Sequence, residues 1–166
     1  MTAIAQQDGA AAALAAVERG APVAAGAFTR PNDQGAIRLI GQRCRDCGAR
    51  FFPGGRASCI RCYGAGLEAV ELDDTGTVDC FTVVRQAPKG YHGPVPYVIG
   101  NVVLGGDVWV LAQLVGKDPE AWRCGEPVVA CAFPLPRDAE HRGVALCYGF
   151  RPLAPGQGRL AAGRAA

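Results

Sequence analysis

Residues 44–62 read CRDCGARFFPGGRASCIRC, and this stretch decides the fold. It contains two Cys-x-x-Cys pairs, Cys44 with Cys47 and Cys59 with Cys62, separated by eleven residues. Two such pairs can offer four thiolates to one tetrahedral ion, and the insertion is long enough for a short hairpin. The spacing predicts a rubredoxin-like zinc ribbon holding one structural Zn²⁺. Iron is the chemical alternative, because the same four-sulfur geometry accepts it.

The predicted site is closed, because all four thiols are used and the metal keeps no open position for catalysis. A redox role is disfavoured, since thioredoxin-type chemistry needs one Cys-x-x-Cys pair rather than two. Gly48, directly after the first pair, is expected to adopt the positive φ that brings backbone amides near the sulfurs. Small buried core positions are predicted for the four other cysteines: Cys80, Cys124, Cys131 and Cys147.

Composition limits the class of protein before any further motif is considered. The 166 residues are 49% hydrophobic and 19% charged, which excludes a mostly disordered chain. No run of about 18 apolar residues suggests a membrane span. The first residues lack a basic segment and reach Asp8 early, unlike a secretory signal. We therefore expect a cytoplasmic, reducing location, where paired cysteines indicate metal ligands rather than disulfides.

The chain after residue 66 is predicted to be strand almost throughout. Gly105-Gly106 is a strong hairpin signal, and Asp118-Pro119 opens one short helical turn. Five main strands are expected, over residues 77–85, 97–104, 107–115, 127–133 and 144–150. With a helical turn between the third and fourth strands, this order matches the five-stranded OB-fold barrel. The predicted fold class is therefore mainly β.

The predicted organisation has four parts. An alanine-rich stretch, residues 10–19, predicts a short helix whose Leu14 and Val17 share one face. Such a helix is marginal alone, so it is either a frayed tail or a segment ordered by a partner. The predicted limits are 1–36 for an N-terminal docking segment, 37–66 for the ribbon, 67–153 for the barrel and 154–166 for a disordered tail.

Charge is divided unevenly between the two modules. The ribbon has six arginines against Asp46 alone, whereas residues 67–151 have eleven acids and seven bases. Four thiolates around a divalent ion remove part of the ribbon's positive charge. Basic residues such as Arg50 and Arg61 are either a solvated face or a surface that meets phosphates of RNA or of a nucleotide cofactor. The barrel strands carry aromatic residues without a basic run, which disfavours a nucleic-acid reader.

No catalytic constellation is recognised in the sequence, so no catalytic residue is predicted. There is no nucleophile elbow, Walker loop, zinc-protease helix or dinucleotide-binding glycine motif. His92 lies in a Pro/Gly-rich loop without a nearby acid, a setting more typical of an exposed histidine than of a catalyst. Lys89 and Tyr91, in the same loop, are candidates for lining a ligand channel or a partner surface.

The order of modules resembles the zinc-ribbon and OB-fold family known as domain of unknown function 35. The resemblance covers about residues 10–153 and rests on the segments CRDCG (44–48), CIRC (59–62), GTV (76–78), PYVIG (96–100) and GEPV (125–128). The two cysteine pairs are generic zinc knuckles, but their combination with the later segments is more specific. The loop PKGYHGP, residues 88–94, is similar to members found with thiolases of anaerobic aromatic degradation, such as benzoylsuccinyl-CoA thiolase.

The resemblance implies a function that spacing does not show. Members are small subunits of thiolase-fold enzymes, which make or break carbon–carbon bonds in acyl-CoA substrates. The catalytic residues belong to the large partner, while the small subunit helps to shape the acyl or CoA channel, here with Lys89, Tyr91, His92, Arg50 and Arg61 facing substrate or partner. A heterotetramer is implied, with acyl-CoA at or near the interface. Two alternatives are a single-stranded nucleic-acid-binding module and a stand-alone acyl-CoA binder or hydrolase.

Overall fold

A computed structural model describes residues 26–32, 35–137 and 144–154. The predicted N-terminal helix and most of the predicted C-terminal tail lie outside these residues. The strands are β1 (Ile40–Cys44), β2 (Arg50–Phe51), β3 (Leu67–Glu71), β4 (Thr75–Val84), β5 (Tyr97–Leu104), β6 (Val108–Leu114), β7 (Pro127–Pro136) and β8 (Val144–Pro152). One 3₁₀ turn, Pro119–Ala121, lies between β6 and β7. Within the described part of the chain, no helix has the length and apolar character needed to cross a bilayer.

The first three strands form a small antiparallel sheet in the order β2-β1-β3. β3 pairs with β1 along its whole length, from Ile40 opposite Glu71 to Cys44 opposite Leu67. The sequence pattern predicts that residues 67–71 belong to the barrel, whereas the structure places this strand in the ribbon sheet. Alternating polarity identifies a strand without naming its pairing partner, so the local pattern could not show this.

The remaining five strands close into a barrel in the order β4-β5-β6-β8-β7, with β7 pairing back onto β4. All neighbours are antiparallel except β6 and β8, which pair in parallel from Gln113 opposite Gly149. Five strands with a helical turn between the third and fourth give the OB-fold arrangement. The predicted mainly β fold, with a five-stranded barrel after a cysteine ribbon, is confirmed.

The hairpin between β5 and β6 is present, as predicted from Gly105-Gly106. Both glycines have positive φ, +56° and +82°, which residues with a side chain rarely adopt. The strands pair from Leu104 opposite Val108, so three residues connect them rather than two. The third, Asp107, closes the turn by donating its amide to the Leu104 carbonyl at 3.2 Å.

One hydrophobic core joins the barrel to the base of the ribbon. The barrel contributes buried residues such as Val102, Trp122 and Phe150, all fully buried. Ile37, Leu39 and Leu72, which lie outside the five barrel strands, belong to the same cluster. The ribbon sheet is therefore anchored through its own base into the barrel, and the two modules share one packed interior.

We predict that Leu39→Ala destabilises the whole chain by about 2–5 kcal/mol, because it leaves a cavity in this shared core. Leu111→Ala is the matched control, since Leu111 is 64% exposed on the barrel surface and should change stability little. Chemical denaturation followed by circular dichroism measures both. Equal effects of the two substitutions would contradict the shared core.

Candidate metal centre

The structure brings the four predicted ligand cysteines together at the end of the ribbon sheet. The Sγ atoms of Cys44, Cys47, Cys59 and Cys62 all lie within 4.8 Å of one another. The sulfurs of Cys44 and Cys62 are 3.6 Å apart, as are those of Cys47 and Cys59. Four sulfurs bound tetrahedrally at 2.3 Å would stand about 3.8 Å apart, so this arrangement suits a single tetrahedral ion.

Tight turns after each cysteine pair position these sulfurs. Gly48 has φ +73°, as the sequence predicts, and its amide donates to the Cys44 carbonyl at 2.9 Å. The second pair repeats the turn, with the Tyr63 amide donating to the Cys59 carbonyl at 3.0 Å. The Arg61 amide points at the Cys59 sulfur, 3.4 Å away. Two similar turns thus aim two thiols each at one point.

The thiols do not titrate alike. Amide hydrogens of Cys62 and Arg61 lower the pKa of Cys59 to about 6. The Gly64 amide lowers the pKa of Cys62, but the neighbouring thiols outweigh it and raise that pKa to about 12. Four sulfurs this close cannot all be ionised unless a cation balances them. The donor set therefore fits a soft divalent metal ion.

The ribbon tip has very little hydrophobic core of its own. Its buried cluster consists of Cys44, Phe51 and Cys59, with Cys47, Ala49 and Leu67 packed against it. Three of these six residues are the thiols of the candidate site. Because so few apolar groups are buried here, the tip depends on a metal ion for its folding free energy.

Arg50 and Arg61, which are predicted to face a ligand or partner, lie in different surroundings. The Arg50 guanidinium spans from β2 to the barrel, where its Nε donates to Asp107 at 3.0 Å and its Nη1 to Asp73 at 3.4 Å. It therefore ties the ribbon to the β5–β6 turn. Arg61 is exposed on the second cysteine pair. Their facing a ligand or partner stays a prediction.

The loop with Lys89, Tyr91 and His92 folds back on the barrel. The Tyr91 ring stacks on Tyr97 with centroids 4.5 Å apart, and its hydroxyl accepts from Gln113 Nε2 at 3.4 Å. His92 is half-buried and Lys89 is exposed. The loop packs on the barrel, so it is a separate feature from the four-cysteine site. That the loop faces a ligand stays a prediction.

An open apolar groove beside this loop was not found from the sequence. Leu111 and Gln113 from β6, Phe133 and Leu135 from β7, and Cys147 and Tyr148 from β8 line it. Burial raises the pKa of the Cys147 thiol, so at neutral pH it stays protonated. The alternation of β6 indicates which of its side chains point outward. The groove also needs β7 and β8 beside β6, and the sequence does not show which strands are neighbours.

The four other cysteines only partly match their predicted burial. Cys131 is buried and Cys147 half-buried, but Cys80 and Cys124 are exposed. Cys80 lies at a register shift in β4, where a bulge disturbs the alternation that predicted an inward side chain. Cys124 lies in the turn before β7. For these two cysteines the prediction of core positions was wrong.

Comparison with known families agrees with this architecture. The model of the ChsH2 rubredoxin-like zinc ribbon domain matches residues 35–68. The model of the ChsH2 C-terminal OB-fold domain matches residues 69–133. The two matches are consecutive and follow the same order of modules as the structure.

Individual proteins that match this chain over most of their own length are also found. A DUF35 domain-containing scaffold protein of Methanocaldococcus jannaschii is 32% identical over 116 residues, 69% of this chain and 82% of the relative. The benzoylsuccinyl-CoA thiolase subunit BbsA of Thauera aromatica is 33% identical over 123 residues, 74% of this chain and 82% of the relative. A chain of the solved Ltp2-ChsH2(DUF35) aldolase matches with a TM-score of 0.55 and 31% identity, covering 69% of this chain and 84% of that chain.

These similarities define a zinc-ribbon and OB-fold protein, and the chain belongs to the DUF35 family. The resemblance drawn from the cysteine pairs and the later barrel segments is therefore confirmed.

We predict that Cys59→Ser abolishes stoichiometric metal binding, because it removes a buried sulfur from a site with few other stabilising contacts. Cys124→Ser is the matched control, since that thiol is exposed and outside the cluster. Elemental analysis of purified protein should find about one metal ion per chain in the wild type and the control. Full metal content in Cys59→Ser would exclude the four-sulfur site.

We predict that Arg50→Gln loosens the ribbon against the barrel and costs about 1 kcal/mol of stability, since both carboxylate partners are partly screened by solvent. Arg85→Gln removes an ion pair with Glu120 that is exposed on both sides, and it should have no measurable effect. Urea denaturation of both variants measures the difference. An unchanged midpoint for Arg50→Gln would show that this contact does not hold the modules together.

Proposed function

We propose that this protein is a non-catalytic accessory subunit of a thiolase-fold acyl-CoA enzyme complex. The observation that carries the proposal is the 33% identity with a benzoylsuccinyl-CoA thiolase subunit over 82% of that subunit's length. The match to a chain of an aldolase named with a DUF35 component supports the same class of complex. A subunit role also suits a metal site whose four protein sulfurs leave no position for substrate.

The metal in this proposal is Zn²⁺, held by Cys44, Cys47, Cys59 and Cys62. When bound, it supplies fixed positive charge and four bonds that hold the ribbon tip together, rather than Lewis-acid chemistry. The chain's own contribution is the backbone amide that faces the Cys59 sulfur, which favours the thiolate form of this ligand. Zinc is favoured over iron because a closed structural site needs no redox change.

The barrel side offers the surface for acyl-CoA or for the partner's substrate channel. Leu111 and Phe133 present apolar area in the groove, and the loop that holds Tyr91 contacts the groove residue Gln113. Lys89, exposed in that loop, can meet an anionic phosphate. The substrate we propose is an aromatic or other 3-oxoacyl-CoA, whose carbon–carbon bond the partner cleaves or forms within a heterotetramer.

The alternative of a single-stranded nucleic-acid module is disfavoured by the barrel surface. OB-folds bind oligonucleotides mainly over their second and third strands, here β5 and β6. Neither strand contains a lysine or arginine, and Trp109 and Leu111 are 57% and 64% exposed there. A backbone-binding groove would need cations beside such side chains.

We predict that the tagged full-length chain, expressed in its native host, captures a thiolase-fold protein that mass spectrometry identifies. The joint complex should catalyse thiolysis of a 3-oxoacyl-CoA, measured by loss of its enolate absorbance, and neither protein alone should reach that rate. Cys59→Ser is expected to lose the partner because its ribbon tip is unfolded. A partner that stays soluble and fully active without this chain would contradict the proposal.

A further inference from the structure

The two cysteine turns are built alike but carry different residues at the same position. Gly48 follows the first pair with φ +73°, and Tyr63 follows the second with φ +61°. Within the described residues, Tyr63 is the only non-glycine with positive φ. This conformation brings Cβ of an L-residue close to the backbone, and a bulky residue in it is an outlier. Glycine would suit the turn better than tyrosine.

Stability of the isolated chain does not explain Tyr63. Its side chain is 82% exposed, so the ring buries almost no area in return for the strained backbone. Ile60, three residues earlier on the same turn, is 57% exposed. Two large apolar side chains thus project into solvent from a tip that has almost no core. Tyrosine beside an aliphatic residue is typical of the central residues of protein interfaces.

The charged residues on the same tip indicate the chemistry of a partner that could bind there. Arg43 and Arg45 are engaged with Glu68. Arg56 and Arg61 are exposed, and no ion pair engages either of them among the described residues. The Arg56 guanidinium lies over the Phe51 ring, 5.8 Å from its centroid, and Phe51 packs with Cys44 and Cys59. Two cations that form no ion pair within the described residues therefore lie on the same ribbon tip as the apolar pair.

We propose that this knuckle surface, formed by Ile60 and Tyr63 with Arg56 and Arg61 at its rim, docks onto the thiolase-fold partner. Tyr63 and Ile60 enter an apolar recess of that partner, and carboxylates around the recess pair with the two arginines. The inference rests on the proposed function, because it names the contact through which that partner is held. An oligonucleotide fits less well, since two cations beside an aliphatic side chain offer few phosphate contacts.

The decisive experiment uses Tyr63→Gly in the full-length, metal-loaded chain. Glycine relieves the positive-φ strain, so the urea midpoint should be equal or higher and the metal content unchanged. Affinity for the purified thiolase-fold partner, measured by calorimetry, should fall at least tenfold because the anchoring ring is gone. Tyr63→Phe keeps the ring and should bind within about threefold of the wild type.

A second set of variants tests the contribution of the arginines at the rim of the knuckle surface. Arg61→Gln should weaken binding and reduce its dependence on salt, whereas Arg85→Gln, on the barrel and paired with Glu120, should leave both unchanged. A fluorescent single-stranded oligonucleotide is titrated in parallel as the competing occupant.

Each outcome decides the inference. Equal partner affinity for Tyr63→Gly and the wild type overturns it while leaving the proposed function intact. A lower midpoint or lost metal in Tyr63→Gly assigns the tyrosine a structural role and also overturns it. Tight oligonucleotide binding that Tyr63→Gly abolishes replaces the protein partner with nucleic acid. A wild type that binds no thiolase-fold protein removes the proposed function and this inference together.

Discussion

The ribbon depends on one constraint: its four cysteine sulfurs lie within 4.8 Å of one another, where thiolates repel each other. Neutral thiols this close gain little from packing, and four thiolates repel one another unless a cation lies between them. The ribbon tip buries only a handful of apolar residues besides the cysteines, so it has no independent means of holding the hairpin closed. Metal binding and folding of the tip are therefore one event.

Contacts with the rest of the molecule fix the orientation of the ribbon tip relative to the barrel. Leu39 and Leu72 flank the ribbon strands and are buried in the barrel core. Arg50 adds a polar contact from β2 to Asp107 on the β5–β6 turn. An added Cβ on Gly105 would lie 2.6 Å from the Arg50 guanidinium, so the glycine turn leaves room for this contact as well as for the hairpin. The ribbon is consequently held to the barrel by both apolar and charged contacts.

Sequence predicted those parts whose signals are local. The cysteine spacing located the metal site, and alternation with turn residues located all five barrel strands, including β5 at its full bounds. What the sequence could not show depends on contacts between distant segments. β3 alternates like a barrel strand but pairs with β1, and Arg50 meets carboxylates 23 and 57 residues away. Cys80 alternates correctly until the bulge in β4 turns it outward.

The fold also limits how a partner can be recognised. The barrel is closed, so among its five strands there is no free edge to which a partner could add a strand. The ribbon sheet ends at β2, which has two residues, and at β3, where Glu68 is engaged with arginines of β1 and the first cysteine turn. Recognition through main-chain hydrogen bonds is thus disfavoured at the closed barrel and at the short strand β2. Exposed side chains are another means, and a metal-braced turn holds its side chains with little loss of conformational entropy on binding. Under the proposed docking role, a tyrosine in a glycine-like conformation on such a turn is understandable, since its backbone strain is already present in the unbound chain.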